Sequence, residues 1–327
     1  MSEKQAGGEE MNGVQKISIL GTGNVGATIA YTLTLFGTAS EIVMVDINHD
    51  KAKGEALDII QGTAYCPPVN IYAGDYSDIV NSDIVIVTVG SARKPGQSRI
   101  DLAQGNVNII KSVMPQAMKY APEAKYVVVS NPVDIITYTI LKVTGLPENQ
   151  VFGSGTLLDT ARLRQMIAES VQINPKNVHA FLLGEHGDSA MIPWSLTTIA
   201  GMPIDIYTEQ MRKSNPSYKG VDHTEILKNV HGAGGEVINL KGATFYGVAL
   251  CTRAICDAIM RNSNTAMTCS TMLHGEYGVS DVCVSIPVII GSDGICGKIT
   301  PDITAEEKQA FMKSANVMKD IISNLNI

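Results

Sequence analysis

No stretch of this 327-residue chain approaches the ~20 consecutive apolar residues that a bilayer-spanning helix needs. Positive charge is in deficit as well. With 25 Lys and Arg against 32 Asp and Glu, the net charge of −7 argues against nucleic acid or an anionic membrane as the main partner. The opening "MSEKQAGGEEMNGVQK" has no apolar core of the kind a signal peptide carries, so residues 1–15 are expected to form a flexible tail and the cytoplasm is the expected compartment. The six cysteines, at 66, 251, 256, 269, 283 and 296, include no C-x-x-C pair and read as reduced core thiols. No H-E-x-x-H is present, no G-x-S-x-G elbow, and Gly297-Lys298 lacks the upstream Gly and following Ser/Thr of a P-loop. These absences exclude zinc-hydrolase, serine-hydrolase and P-loop readings, and no metal site is expected. Internal repeats are also missing.

What is present is ordinary globular material, 45% apolar and 17% charged, in a chain long enough for two closely packed domains. In the first half, apolar runs alternate with stretches of helical spacing. "KISIL" feeds "GTGNVGATIAYTLTLF"; "EIVMVDI", "DIVIVTVG" and "AKYVVVSNP" follow, separated by "KAKGEALDII" and "GNVNIIKSVMPQAMKY". Nearly uninterrupted apolar strands between helices predict a doubly wound parallel α/β sheet. After about residue 155 the rhythm changes. "DTARLRQMIAESV" reads as helix, "HAFLLGEHGD" as a strand entering a polar loop, "DVCVSIPVII" as strand, and "TAEEKQAFMKSANVMKDIISNL" as a capped terminal helix.

Gly21, Gly23 and Gly26 form G-x-G-x-x-G between the first strand and the first helix. Such a turn lets the backbone approach a pyrophosphate while the helix N-terminus offers free N–H groups to it. Asp46 ends the next strand twenty residues beyond Gly26, where a carboxylate accepts from an adenosine ribose and repels a 2′-phosphate. The first half therefore reads as a Rossmann domain for NAD. Further on, "GEHGDS" sets His186 between glycines on a loop, the side chain best suited to proton exchange near neutrality. Taken alone, a loop histidine is more often a surface residue or a structural hydrogen-bonder. Asp159 and Arg162 share a helix face at i and i+3, a spacing that also suits a plain intrahelical ion pair. Asn131 of "SNPVD" lies at a strand's carboxyl end, where ligands bind in open α/β sheets; Asn-Pro is also a common turn opener.

Together these blocks carry a resemblance. "GTGNVG", "VVVSNPVDI", "GSGTLLDTARLR", "GEHGDS" and "LKGATFYG" occur in the order found in the L-lactate/malate dehydrogenase family, and the likeness runs from Lys16 to the terminal helix. It implies a Rossmann domain over 16–155 and an α+β catalytic domain over 156–327. It implies His186 as general acid/base, Asp159 as its orienting partner, Arg162 as the clamp on the substrate carboxylate and Arg99 as the loop residue that polarises the reacting carbonyl. Asn131 would touch substrate and cofactor, and Thr244 would line the pocket. Val25, Asp46, Lys51, Tyr76, Gly90, Ser112 and Ser154 would join the three glycines on NAD. The resemblance also implies a homotetramer acting on a small 2-oxo or 2-hydroxy acid, with Arg164 and His179 placed to bind fructose 1,6-bisphosphate as effector.

One position pulls the other way. The loop residue six before Arg99 is typically Gln in the lactate enzymes and Arg in the malate enzymes, and here it is Arg93. Facing pyruvate's methyl, a guanidinium would be a desolvated, unpaired cation, a loss of about 2–5 kcal/mol, or ~10²–10³ in favour of a dicarboxylate. Gln97, where lactate enzymes commonly carry Glu, leans the same way. Against these stand "NVHAFLLGEHGDS", "PWS" and "LKGATFYGVA", which resemble bacterial lactate enzymes. The expected activity is therefore reversible hydride transfer between lactate and pyruvate, with malate dehydrogenase the alternative and Arg93 reaching toward water.

Overall fold

The computed structural model describes residues 14–91 and 98–327. Each apolar run of the first half becomes a short strand, and most lead straight into a helix. β1 (Lys16–Leu20) passes through the glycine turn into α1 (Asn24–Phe36), and β2 (Glu41–Val45) leads to α2 (His49–Gln61). β3 (Asn70–Ala73), β4 (Ile84–Val87), α3 (Arg99–Tyr120), β5 (Lys125–Val128), α4 (Val133–Thr144) and β6 (Val151–Gly153) follow. All neighbouring pairs among these six strands are parallel, in the order β6-β5-β4-β1-β2-β3. The apolar runs are continuous because helices cover both faces: Ile84, Val85, Ile86 and Val87 are all fully buried, each worth about 1.5–3 kcal/mol of transfer free energy. Strand order reverses between β1 and β4, which opens a crevice at their carboxyl ends.

The second half contains α5 (Leu157–Val171), then β7 (Val178–His179), β8 (Thr198–Ile199) and β9 (Met202–Pro203) as a small antiparallel sheet. α6 (Ile204–Ser214), α7 (His223–Lys241) and α8 (Tyr246–Met260) precede β10 (Thr265–His274), β11 (Ser280–Gly291) and β12 (Gly294–Lys298), and α9 (Ala305–Ser323) closes the chain. β10 pairs with β6 antiparallel at Ser270 and Gly153, so the antiparallel β10-β11-β12 array extends the parallel sheet to nine strands. The capped terminal helix is as its sequence implies. The Thr304 hydroxyl accepts from the Glu307 N–H at 3.2 Å, and the Glu307 carboxylate accepts from the Thr304 N–H at 2.9 Å.

One detail differs from the pattern reading. Only Val178 and His179 of "VHAFLLGEHGD" pair as strand. Beyond them the chain crosses the molecule as irregular backbone tied to Met191 and Ser285, and Gly184 adopts φ 94, where a Cβ would meet the Ser314 side chain. This segment carries His186. α7 holds Gly232, Gly234 and Gly235 in its interior, although each glycine weakens a helix by about 0.5–1 kcal/mol relative to alanine.

Candidate active site

The glycine turn is built around close approaches. Gly21 has φ 95, a conformation side-chain-bearing residues avoid, and a Cβ on Gly26 would collide with the Gly21 carbonyl oxygen. α1 starts one residue after Gly23 with no side chain capping its first turn, which leaves N–H groups for an anion. The Asp46 carboxylate is locked beside the turn, accepting from the Thr22 N–H at 2.6 Å, the Thr22 hydroxyl at 3.1 Å and the Asn48 N–H at 2.9 Å. Burial alone would raise its pKa; these bonds and Lys51 outweigh that and hold it below the usual carboxylate value. A fixed anion results. Gly21, Gly23, Asp46, Lys51, Tyr76, Gly90 and Ser112 line one cavity of about 750 Å³. This cradle, with Gly21, Gly23 and Gly90 on its wall and the Asp46 carboxylate beside them, fits a dinucleotide without a 2′-phosphate.

A second cavity, of about 280 Å³, begins at the same turn. Val25, Asn131, Ser154, Asp159, Arg162, His186 and Thr244 line it. Asp159 lies in the first turn of α5, where its carboxylate divides between two partners. Oδ1 accepts from Arg162 Nη1 at 3.0 Å, and Oδ2 meets His186 Nδ1 at 2.6 Å. Asp159 is therefore paired with Arg162 and with His186 at once. Burial would push Asp159 up, but the charges of His186 and Arg162 bring it below its ordinary value. For His186 the balance has the opposite sign: burial would lower it, yet Asp159, seconded by Asp134, holds the imidazole above its ordinary value. With Nδ1–H given to Asp159, Nε2 is left to exchange a proton with a bound molecule.

Two sequence profiles cover nearly the whole chain. Residues 15–153 match lactate/malate dehydrogenase, NAD binding domain, and residues 156–326 match lactate/malate dehydrogenase, alpha/beta C-terminal domain. The chain belongs to the lactate/malate dehydrogenase family. It is accordingly an NAD-dependent oxidoreductase of 2-hydroxy acids. It is 46% identical over 315 residues to the L-lactate dehydrogenase of Thermoanaerobacter pseudethanolicus, covering 96% of this chain and 100% of that one. The corresponding enzyme of Acetivibrio thermocellus is 45% identical over 314 residues, covering 96% and 98%. Among solved structures, the minor L-lactate dehydrogenase of Enterococcus mundtii in its ligands-bound form superposes with a TM-score of 0.91 at 37% identity, covering 96% and 99% of the two chains.

Within this family frame the remaining sequence-predicted residues fall as follows. Arg99 is the first residue of α3 and pairs with Asp188, two residues beyond His186; it lines a groove with Asn131 and His186, outside the 280 Å³ cavity. Arg93 and Gln97 lie outside the described residues. Arg164, on the same helix as Arg162, donates to the Pro175 carbonyl at 3.3 Å, while its Nε is buried without a partner. His179 is exposed on β7, away from both cavities.

The sequence reading passed over Asp134 of "SNPVD". It is 1% exposed, and its Oδ2 accepts from the His186 N–H at 2.7 Å, so it anchors the loop of the acid–base residue from behind. Neither its Oδ1 nor the neighbouring Ser270 hydroxyl has a hydrogen-bond partner. Burial raises its pKa to about 6, against the bond from the His186 backbone N–H. An acid in the first turn of a helix looks like a surface dipole partner, so nothing local in the sequence marks it as buried.

Proposed function

We propose that this chain is an L-lactate dehydrogenase, interconverting pyruvate and L-lactate. The observation that carries the proposal is the His186–Asp159–Arg162 array, gathered in one cavity that begins at the dinucleotide turn. Arg162 takes the substrate carboxylate in its planar fork, a grip a lysine does not reproduce. His186 gives the Nε2 proton to the carbonyl oxygen, and Asp159 stabilises the protonated ring and fixes its tautomer. Arg99 leaves Asp188 and turns to the carbonyl as negative charge develops there. Asn131 and Thr244 position the acid. Gly21, Gly23, Val25, Gly26, Asp46, Lys51, Tyr76, Gly90, Ser112, Asn131 and Ser154 hold NAD, which supplies or accepts the hydride at C2. In this reading residues 16–155 serve the cofactor and 156–327 the substrate.

The choice of lactate is supported by the names of the relatives at 44–46% identity, all L-lactate dehydrogenases. The malate reading rests on Arg93. Parallel NADH-oxidation assays with pyruvate and oxaloacetate decide between them. Pyruvate is expected to give the larger kcat/KM, by about tenfold or more, the scale of one modest pocket contact. A preference for oxaloacetate would reassign the enzyme to malate.

We further place the enzyme in cytoplasmic fermentation, as the last step of glycolytic carbon flow. A homotetramer is supported by exposed apolar side chains on three helices, among them Tyr31, Leu35 and Phe36 of α1, Leu57 of α2 and Leu250 of α8. Arg164 and His179 form the effector site for fructose 1,6-bisphosphate together with their symmetry mates. In the same assay, addition of the bisphosphate is expected to lower the KM for pyruvate.

A further inference from the structure

One titratable group in the catalytic cavity has no part in the proton transfer. His231 of α7 lines the same 280 Å³ cavity as Arg162 and His186. Its Nε2 lies 3.0 Å from the carbonyl oxygen of Ala190, 41 positions earlier in the chain. A carbonyl only accepts, so Nε2 carries the hydrogen and donates. Ala190 is 4% exposed, and among the described residues no backbone N–H reaches its carbonyl. Without His231 a buried acceptor goes unpaired. That carbonyl belongs to a closed loop: Leu183 and Met191 exchange both backbone bonds at 2.9 Å, and the residues between them carry His186. On its other side α7 packs on α5, the helix of Asp159 and Arg162. One helix thus meets the carboxylate clamp directly and the proton donor's loop through His231. Little else holds it, since only Ile226 and Val230 of its nineteen residues are buried and its interior glycines weaken it.

We infer that His231 is a positioning residue of the reaction: its bond to Ala190 ties α7 to the loop of His186 and holds the cavity in the shape that receives the 2-oxo acid. The inference rests on the proposed function and adds a residue to its site. His231 gives no proton to the substrate. The bond outlasts protonation of the ring, because Nε2–H is present in both states. What the tether contributes is preorganisation. With α7 fixed beforehand, pyruvate enters a formed cavity; with α7 loose, part of the binding free energy goes into ordering the wall. The loss then falls on KM, while at saturating pyruvate the wall is in place and kcat is kept.

The test compares the wild type with three variants. His231→Leu fills the space and cannot donate, His231→Asn is polar but a methylene short of Ala190, and His231→Gln presents its amide N–H at the reach of Nε2. Pyruvate kinetics at saturating NADH are read beside amide hydrogen exchange of α7 in the enzyme without substrate. In His231→Leu and His231→Asn, KM for pyruvate is expected to rise about tenfold, the worth of one hydrogen bond, with kcat within about twofold of the wild type. Exchange in α7 is expected to quicken by a similar factor in both. His231→Gln is expected to return KM and exchange close to their wild-type values. A glutamine variant as impaired as the other two, a fall in kcat at unchanged KM, or α7 exchange equal in all four proteins overturns the inference. A wild type that reduces neither pyruvate nor oxaloacetate overturns the proposed function instead, and the exchange comparison still decides the tether.

Discussion

Replacing Arg162 with lysine is expected to cut kcat/KM for pyruvate by about 10²–10³, mostly through KM, the scale of losing one partner of a desolvated charge pair. Lysine keeps the charge and loses the fork. Arg162 is mostly buried, donates from Nη1 to Asp159 at 3.0 Å and has its other donors available to a carboxylate in the same cavity. An ammonium's three N–H groups diverge tetrahedrally and offer no parallel pair to a carboxylate while another serves Asp159. Because the dinucleotide cradle is lined by other residues, NADH affinity measured by fluorescence titration is expected to stay at the wild-type value. A KM for pyruvate that does not move would remove Arg162 from the substrate.

His186→Gln is expected to lower kcat by about 10²–10⁴, the usual worth of a positioned acid or base. The pH dependence follows from the sign of the shift. His186 titrates above its ordinary value, so the protonated ring needed for pyruvate reduction is present at low pH and is lost as pH rises through that raised pKa. Lactate oxidation, which needs the neutral ring, gains over the same interval. Asp134→Asn supplies a sharper check. Asparagine can still accept from the His186 N–H and donate to the unpartnered Ser270 hydroxyl, while the buried negative charge is gone. The alkaline limb of pyruvate reduction is expected to move to lower pH, since one of the charges that raises His186 has been removed. Stability shifts in a direction of its own. A buried acid with a pKa raised to about 6 destabilises the fold once ionised, so at pH 7 the variant's Tm is expected not to fall. A limb that stays in place would leave Asp134 as a packing residue only.

How much of this was legible before the fold was known depends on the distance along the chain. The glycine turn, Asp46 and the α9 cap are local devices, readable because their partners lie within one strand–turn–helix unit or one helical turn. Asp159 and Arg162 could be paired from helical spacing, but Asp159 and His186, 27 positions apart, follow no spacing rule, and that contact was reachable only through the family likeness. The Arg99–Asp188 pair, 89 residues apart, and the Asp134 anchor under His186 were not legible at all, for the same reason. Likewise, nothing in "TAMTCSTMLH" announces that it continues the parallel sheet, because its link to that sheet is a single register pair with Gly153. Arg93, the residue that most disturbs the lactate reading, lies outside the described residues, so its bearing on specificity passes to the substrate assay.

The central claim is that a proton donor at 186 and a guanidinium at 162 hold a 2-oxo acid with its carbonyl carbon against bound nicotinamide. Its most direct test is single-turnover reaction of the enzyme with pyruvate and NADH deuterated at the transferable C4 position, with the product read by mass spectrometry and NMR. The account predicts one deuterium at C2 of L-lactate and none in solvent. Lactate without the label, or no lactate from an enzyme that binds NADH, would contradict it.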